Sequence, residues 1–311
     1  MLRAALIGTS STGKTTLSQL MTHAPEVPRG KGDVNIGISR VPDLRLDTLT
    51  AMYNPRKRVP ATIEFADLAA PPRTGAGAQA LVDVAAYKNA DALVHVVRAF
   101  RNPAVPHPAG TIDPARDAQT MEDELILADL GVAERRLERL DKDLKKTRSA
   151  DLEQERDLLQ RCREALETGT PLRALQLPAA DLKRLRGFQL LSAKPLLLVI
   201  NVDEADLPTV GASVERAAEQ TGLTTFLARA ATRAVALCAT IELEIAQLEP
   251  HDAAAFLSDL GLKESGLDRV IRATYDLLGY ISFFTVGEDE CRAWSIARGT
   301  SAQEAAGEIH S

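Results

Sequence analysis

The stretch LRAALIGTSSTGKTT, residues 2–16, constrains the fold more than any other part of the chain. Leu2 to Ile7 reads as a short apolar strand that runs into Gly8, four spacers, Gly13, Lys14 and Thr15, and Thr15–Met21 reads as an amphipathic helix. Glycines at a strand-to-helix junction let consecutive backbone N–H groups curl around an anion. The spacing GxxxxGK[ST] adds an ammonium group, Lys14, placed to reach β- and γ-phosphates, and a hydroxyl, Thr15, placed to ligate Mg²⁺. Gly8, Ser11, Thr12, Gly13, Lys14, Thr15 and Thr16 are therefore the candidate phosphate-binding residues. The competing reading of the stretch is a glycine-rich turn without a ligand.

Asn35–Arg40 and Thr62–Ala66 have the β-branched and apolar character of strands, and the second ends in Asp67. In phosphate-loop folds a carboxylate at such a strand tip holds Mg²⁺ through water, which makes Asp67 a candidate metal residue beside Thr15. Taken alone, an Asp at a strand end is a turn former. His23 to Val34, rich in Pro, Gly and charge, is expected to be a mobile loop where the first switch of a GTPase-like fold sits, with no suitably flanked Thr in it. PPRTGAG at 71–77 reads as another loop, followed by a helix over Ala78–Lys88 and a buried strand over Ala92–Val97. His95 in that strand reads as a packed core residue. His107 stands in RNPAVPHPAGTIDP, a Pro-rich loop where no core is expected around it.

From about Asp113 the pattern changes. Ile126, Leu130, Ala133, Leu137, Leu140 and Leu144 recur at alternating four- and three-residue steps among dense charge, and Leu152, Leu159, Cys162 and Leu166 follow at heptad-compatible positions. The spacing predicts an antiparallel helical hairpin turning at Thr147–Ala150, with arms on the order of 30–40 Å. The α/β pattern resumes at Lys194–Ile200, which ends in Asn201-Val202-Asp203-Glu204. Here Asn201 is expected to hold a base edge and the Val202 backbone to line its pocket. Guanine-specific members of this fold class carry Asn-Lys-x-Asp at this place, so Asn-x-x-Glu puts guanine specificity in doubt. Thr232–Ala239 is the last predicted strand of the sheet, and Cys238-Ala239-Thr240 a turn suited to a base-facing backbone contact. A helical segment is expected from Ala253 through Leu278, then strands over Phe283–Val286 and Arg292–Ile296, opening a small β unit that the chain does not close before Ser311.

Composition narrows the function classes. No stretch approaches eighteen uninterrupted apolar residues and the first strand lacks the flanks of a signal peptide, so a cytoplasmic protein without membrane association is expected. A net charge of −6 argues against broad nucleic-acid binding. Arg56-Lys57-Arg58, Lys145-Lys146 with Arg148, and Lys183-Arg184 with Arg186 are local basic runs, readable as solvated faces or docking sites. Cys162, Cys238 and Cys291 have neither disulfide-framework nor zinc spacing.

With these pieces placed, the sequence resembles the YchF family of Obg-like ATPases, within the translation-factor class of P-loop NTPases. The strings that carry the resemblance span nearly the whole chain: VPDLRLDTL at 41–49, PATIEFADLA at 60–69, ADALVHVVRAF at 90–100, ELILADLGVAERRLERL at 124–140, KPLLLVINVDE at 194–204, GLDRVIRATYDLLG at 266–279 and RAWSIARGTSAQEAAGEIH at 292–310. The resemblance implies an α/β fold: a P-loop G domain with a mostly parallel sheet over 1–112 and 191–279, interrupted by an antiparallel α-helical coiled-coil insertion over 113–190. The first portion of a β-grasp-like TGS domain is then expected over 280–311. It also implies Mg²⁺, ATP preferred over GTP through Asn201 to Glu204, the ribosome or a ribosomal subunit as partner, and His107 as the loop histidine that joins Lys14 in hydrolysis. The family's DxAG motif departs here to Asp67-Leu68-Ala69-Ala70, followed by Pro71 and Pro72; its Mg²⁺-binding Thr falls at Lys31 and its switch-region Cys at Gly30. An alanine in place of that glycine puts a Cβ where the backbone turns to offer its N–H to the γ-phosphate. The expectation is an ATP-preferring nucleotide-binding protein that hydrolyses ATP weakly to ADP and phosphate. A non-hydrolysing scaffold that keeps the fold, and a GTPase, are the two other readings.

Overall fold

The structure, a computed structural model, describes residues 2–22, 34–68, 87–147, 149–211 and 213–309. The first-switch segment with Gly30 and Lys31, residues Ala69, Ala70, Pro71 and Pro72, the rest of the PPRTGAG loop, the predicted helix up to residue 86, and Arg148 lie outside the described residues. The strands are β1 (Arg3–Ile7), β2 (Val34–Arg40), β3 (Lys57–Val59), β4 (Thr62–Leu68), β5 (Ala92–Arg98), β6 (Leu196–Asn201), β7 (Thr232–Leu237), β8 (Tyr280–Val286) and β9 (Glu290–Ala297). Six of them form a sheet in the order β2-β4-β1-β5-β6-β7, with β2 antiparallel to β4 and every other neighbouring pair parallel.

The apolar runs explain the parallel core. β5 and β6 are buried at every position, as parallel strands covered on both faces are. Successive residues alternate between two cores: Ile7, Leu93, Leu198 and Ile200 pack on one face, Leu6, Phe65, Val94 and Val199 on the other. His95 lies wholly inside, as its strand pattern predicts, and burial, with the Arg173 charge nearby, holds its pKa down to about 3, so it stays neutral. Register then sets the site. Leu6 pairs with Asp67, Ile7 with His95, Arg98 with Asn201, and Asn201 with Leu237. The ends of β1, β4, β5, β6 and β7 therefore open on the same edge of the sheet, the place where α/β folds bind ligands.

The helical hairpin is less symmetric than its sequence suggests. Its first arm, Pro114–Lys146, runs 33 residues, about 50 Å at 1.5 Å each, while the second, Ala150–Glu167, runs 18, about 27 Å. The second ends because Gly169 takes φ +73 and the chain turns into Leu172–Ala174 and the short helix Ala179–Leu185. Ile126, Leu137, Leu140, Leu159, Cys162 and Leu166 form the seam between the arms. The same long helix, one or two turns earlier, buries Ala118, Met121 and Leu125 in the sheet's core. The junction is polar: buried Glu122 takes Arg173 at 2.5 Å and Arg229 at 3.0 Å. Nearby, Asp129 accepts from Leu191 N, Ser192 N and Ser192 Oγ at 2.8, 2.7 and 2.6 Å. Burial raises the Asp129 pKa against the opposing pull of those bonds. Of the basic runs, Arg184 is engaged with Asp151 of the second arm at 2.5 Å.

One expectation at the carboxyl end is corrected. The helix predicted over Ala253–Leu278 is two helices, Pro250–Asp259 and Gly266–Leu277, because Gly261 adopts φ +72 and Ser265 caps the second through Asp268 N. The basic run Arg56-Lys57-Arg58 stays exposed while its last two residues enter a strand: β3 pairs parallel with β9, and β9 antiparallel with β8, in a second sheet ordered β3-β9-β8. Arg58 reaches Asp47 at 2.5 Å and Arg56 reaches Asp289 at 3.2 Å. Cys162, Cys238 and Cys291 are buried free thiols. Among the described residues no helix is long and apolar enough to cross a membrane.

Candidate functional site

The loop after β1 is built around two positions that no side chain fits. Gly8 (φ +149) would place a Cβ 2.7 Å from Val96 O, and Gly13 (φ +90) would place one 2.5 Å from Asn201 Nδ2. Between them Ser11 also takes a positive φ, and buried Thr12 donates its hydroxyl to Thr9 O at 3.1 Å. The helix Lys14–Thr22 starts directly behind this curl and carries no acidic residue in its first turn, so its amino end is open to an anion. Lys14 is buried, with its Nζ 3.3 Å from Oδ1 of Asp67, which is fully enclosed at the end of β4. Thr15 points to solvent and Thr16 is half-buried.

This donor set fits a magnesium ion held with a nucleotide. Hard carboxylate and hydroxyl oxygens, Asp67 and Thr15, flank the cradle, and Lys14 already sets a cation against the enclosed carboxylate. Among the described residues no three His, Cys, Asp or Glu side chains cluster as a metal centre.

Asn201, at the end of β6, ties the cradle to the next loop. Its Nδ2 donates to Thr12 O and its Oδ1 accepts from Ala239 N, both at 3.0 Å, with the side chain 3% exposed. The Ala239 N–H thus holds Asn201. Val202 N–H donates to Leu237 O at 2.9 Å and its side chain joins the core, while Cys238 Sγ lies 3.0 Å from Thr240 Oγ1. Glu204 is exposed at the start of the turn Glu204–Asp206. Asn201→Ala is expected to lower the unfolding free energy by about 2–4 kcal/mol, since it strands Thr12 O and Ala239 N inside the protein. Denaturant titration checks this, and an unchanged midpoint would remove Asn201 as the clamp.

His107 is where the sequence misleads. The loop expected to be open closes over it: the side chain is 4% exposed, its Nδ1 accepts from Ala109 N at 3.2 Å and its Nε2 lies 2.8 Å from Asp117 Oδ2. The cause is the long helix, capped by Asp113 through Arg116 N, whose first turn delivers Asp117 under the loop. A residue the sequence reading passed over links this loop to the cradle. Arg98 ends β5 and bonds Phe100 O, Ser11 O and Val105 O at 3.2, 3.4 and 2.8 Å. Its only sequence signal is a cation closing an otherwise apolar strand.

Known proteins with this sequence pattern decide the family. The protein named Ribosome-binding ATPase YchF from Bacillus subtilis (strain 168) is 37% identical over 318 residues, covering 100% of this chain and 85% of the relative. The protein of the same name from Escherichia coli O157:H7 is 35% identical, covering 99% and 84%. This chain belongs to the YchF family. Residues 280–311 of this YchF chain match the family model YchF-GTPase_C, described as a protein of unknown function (DUF933). The solved structure of the Schizosaccharomyces pombe YchF GTPase matches with a TM-score of 0.80 at 27% identity, over 99% of this chain and 84% of that one. The α/β fold described above is therefore the YchF fold.

Proposed function

We propose that this YchF protein binds ATP in the cradle between Gly8 and Thr16, hydrolyses it weakly to ADP and phosphate, and works in contact with the ribosome. The observation that carries the reading is the enclosed Lys14–Asp67 pair, 3.3 Å apart, set against a glycine curl and a helix amino end. The relatives' name, Ribosome-binding ATPase YchF, supports both the nucleotide and the partner. In this reading Gly8, Ser11, Thr12, Gly13 and Thr16 surround the phosphates and Lys14 counters their charge. Thr15 and Asp67 would hold Mg²⁺, which when bound supplies neutralisation of the β- and γ-phosphates. Asn201, Val202, Glu204, Cys238 and Ala239 frame the base side. His107 is assigned to positioning water, which requires its Nε2 to leave Asp117, and its enclosure there supports slow turnover. We assign 1–112 and 191–279 to the nucleotide-binding body, 113–190 to the inserted hairpin and 280–311 to the start of the TGS segment. The hairpin's exposed tip, with Lys142, Lys145 and Lys146, is the proposed docking end.

Calorimetric titration with ATP and GTP, each with and without Mg²⁺, tests the reading: ATP is expected to bind more tightly, and binding by neither nucleotide would leave only a scaffold. One observation favours a second reading, since the matching Schizosaccharomyces pombe protein is named a GTPase. Base choice then rests on Glu204. Glu204→Asp is expected to shift the ratio of GTP to ATP affinity toward GTP by about tenfold, or about 1.4 kcal/mol. An unmoved ratio would take Glu204 out of base reading.

A further inference from the structure

We infer that Arg98 is a positioning residue that couples the occupied phosphate cradle to the loop carrying His107. The inference rests on the nucleotide reading above and adds a regulatory link within that site. Arg98 is 1% exposed, yet among the described residues its polar partners are three carbonyl oxygens, with no carboxylate facing it. A buried cation is costly unless something offsets its charge. Here the offset comes from carbonyl dipoles of two loops: Ser11 in the cradle, and Phe100 and Val105 in the histidine loop. The guanidinium also lies 4.5 Å from the Phe100 ring centre, which fixes its plane.

The two sides of the bridge differ. The bond to Val105 O is 2.8 Å, whereas that to Ser11 O is 3.4 Å, at the long end for N–H···O. Ser11 sits with φ 65 in the middle of the curl, so a phosphate drawn in by the loop's amides acts directly on the peptide whose carbonyl Arg98 holds. Tightening there is passed through one rigid planar fork to Val105, two residues before His107. A lysine keeps the charge but cannot serve three acceptors in that fixed geometry.

Hydrogen exchange on the full chain tests this, read at the amides of Val105 and Gly110, which are bonded to Asn102 O at 3.1 Å and His107 O at 2.9 Å. In the native protein saturating Mg²⁺–ATP is expected to slow both amides at least about tenfold. In Arg98→Lys that slowing is expected to shrink below about twofold, with turnover down at least about tenfold and the ATP KM within about threefold of native. ATP binding by the native protein with unchanged exchange at both amides overturns the coupling alone. Native-like slowing and turnover in Arg98→Lys overturns Arg98 as its carrier. Absence of ATP binding overturns the nucleotide reading itself, and the native exchange measurement stands whether or not the variant folds.

Discussion

Lys14→Ala is expected to weaken ATP binding at least about a hundredfold, or about 2.7 kcal/mol, and to abolish turnover with it. The size follows from where the ammonium sits. It is buried at the mouth of the cradle, so its attraction for a triphosphate acts with little screening from water, unlike that of a surface lysine. The loop's amides and the helix amino end remain in the variant and keep a residual anion affinity. The same change removes the cation facing the enclosed Asp67 carboxylate, so the ligand-free variant is also expected to melt at a lower temperature. Calorimetry and thermal unfolding with and without Mg²⁺–ATP read both effects. A variant that binds ATP within threefold of the native protein would contradict the central role given to Lys14.

The second large effect concerns the hairpin. Glu122→Ala is expected to cost about 3–5 kcal/mol of unfolding free energy, the range for breaking a buried ion pair from one side. Both side chains of the Glu122–Arg173 pair are 1% exposed, and Arg229 adds a second guanidinium at 3.0 Å, so the alanine leaves two cations around an empty place. Burial already pushes the Arg173 pKa below its usual value, with Glu122 pulling the other way. Arg136→Ala supplies the control. It breaks a pair with Glu155 between the arms that is 31% and 16% exposed, for which less than about 1 kcal/mol is expected. Denaturant unfolding of the two variants side by side decides the matter, and equal losses would show that the junction at Glu122 carries no special load.

What could be read from the chain alone was whatever rests on local spacing. The cradle, the apolar strands, the seam of the hairpin and the strand-end residues Asp67 and Asn201 depend on neighbours within a few positions, and the structure sets Asp67 against Lys14 and Asn201 against Thr12. What escaped depends on partners far away in sequence. β3 is three residues long and two of them are basic, so nothing local marks it as a strand; its pairing with β9 joins residues 57–59 to 290–292. His107 looked open because the helix turn that encloses it begins only at Pro114. Glu122 and Asp129 sat among many charges on a helix whose exposed face looks the same, until Arg173, Arg229 and Ser192 came up against them. The unequal arms and the broken carboxyl-end helix each turn on one glycine in a left-handed conformation.

The pairing of β3 with β9 has a mechanical meaning. Only Pro60 and Ala61 separate β3 from β4, and β4 carries Asp67 at its other end. A tug on the β8–β9 hairpin, such as a bound partner would exert, is therefore delivered along a stiff rod one strand long whose far tip is the Asp67 carboxylate facing Lys14. The small sheet is thus yoked to the edge of the large one that carries the cradle.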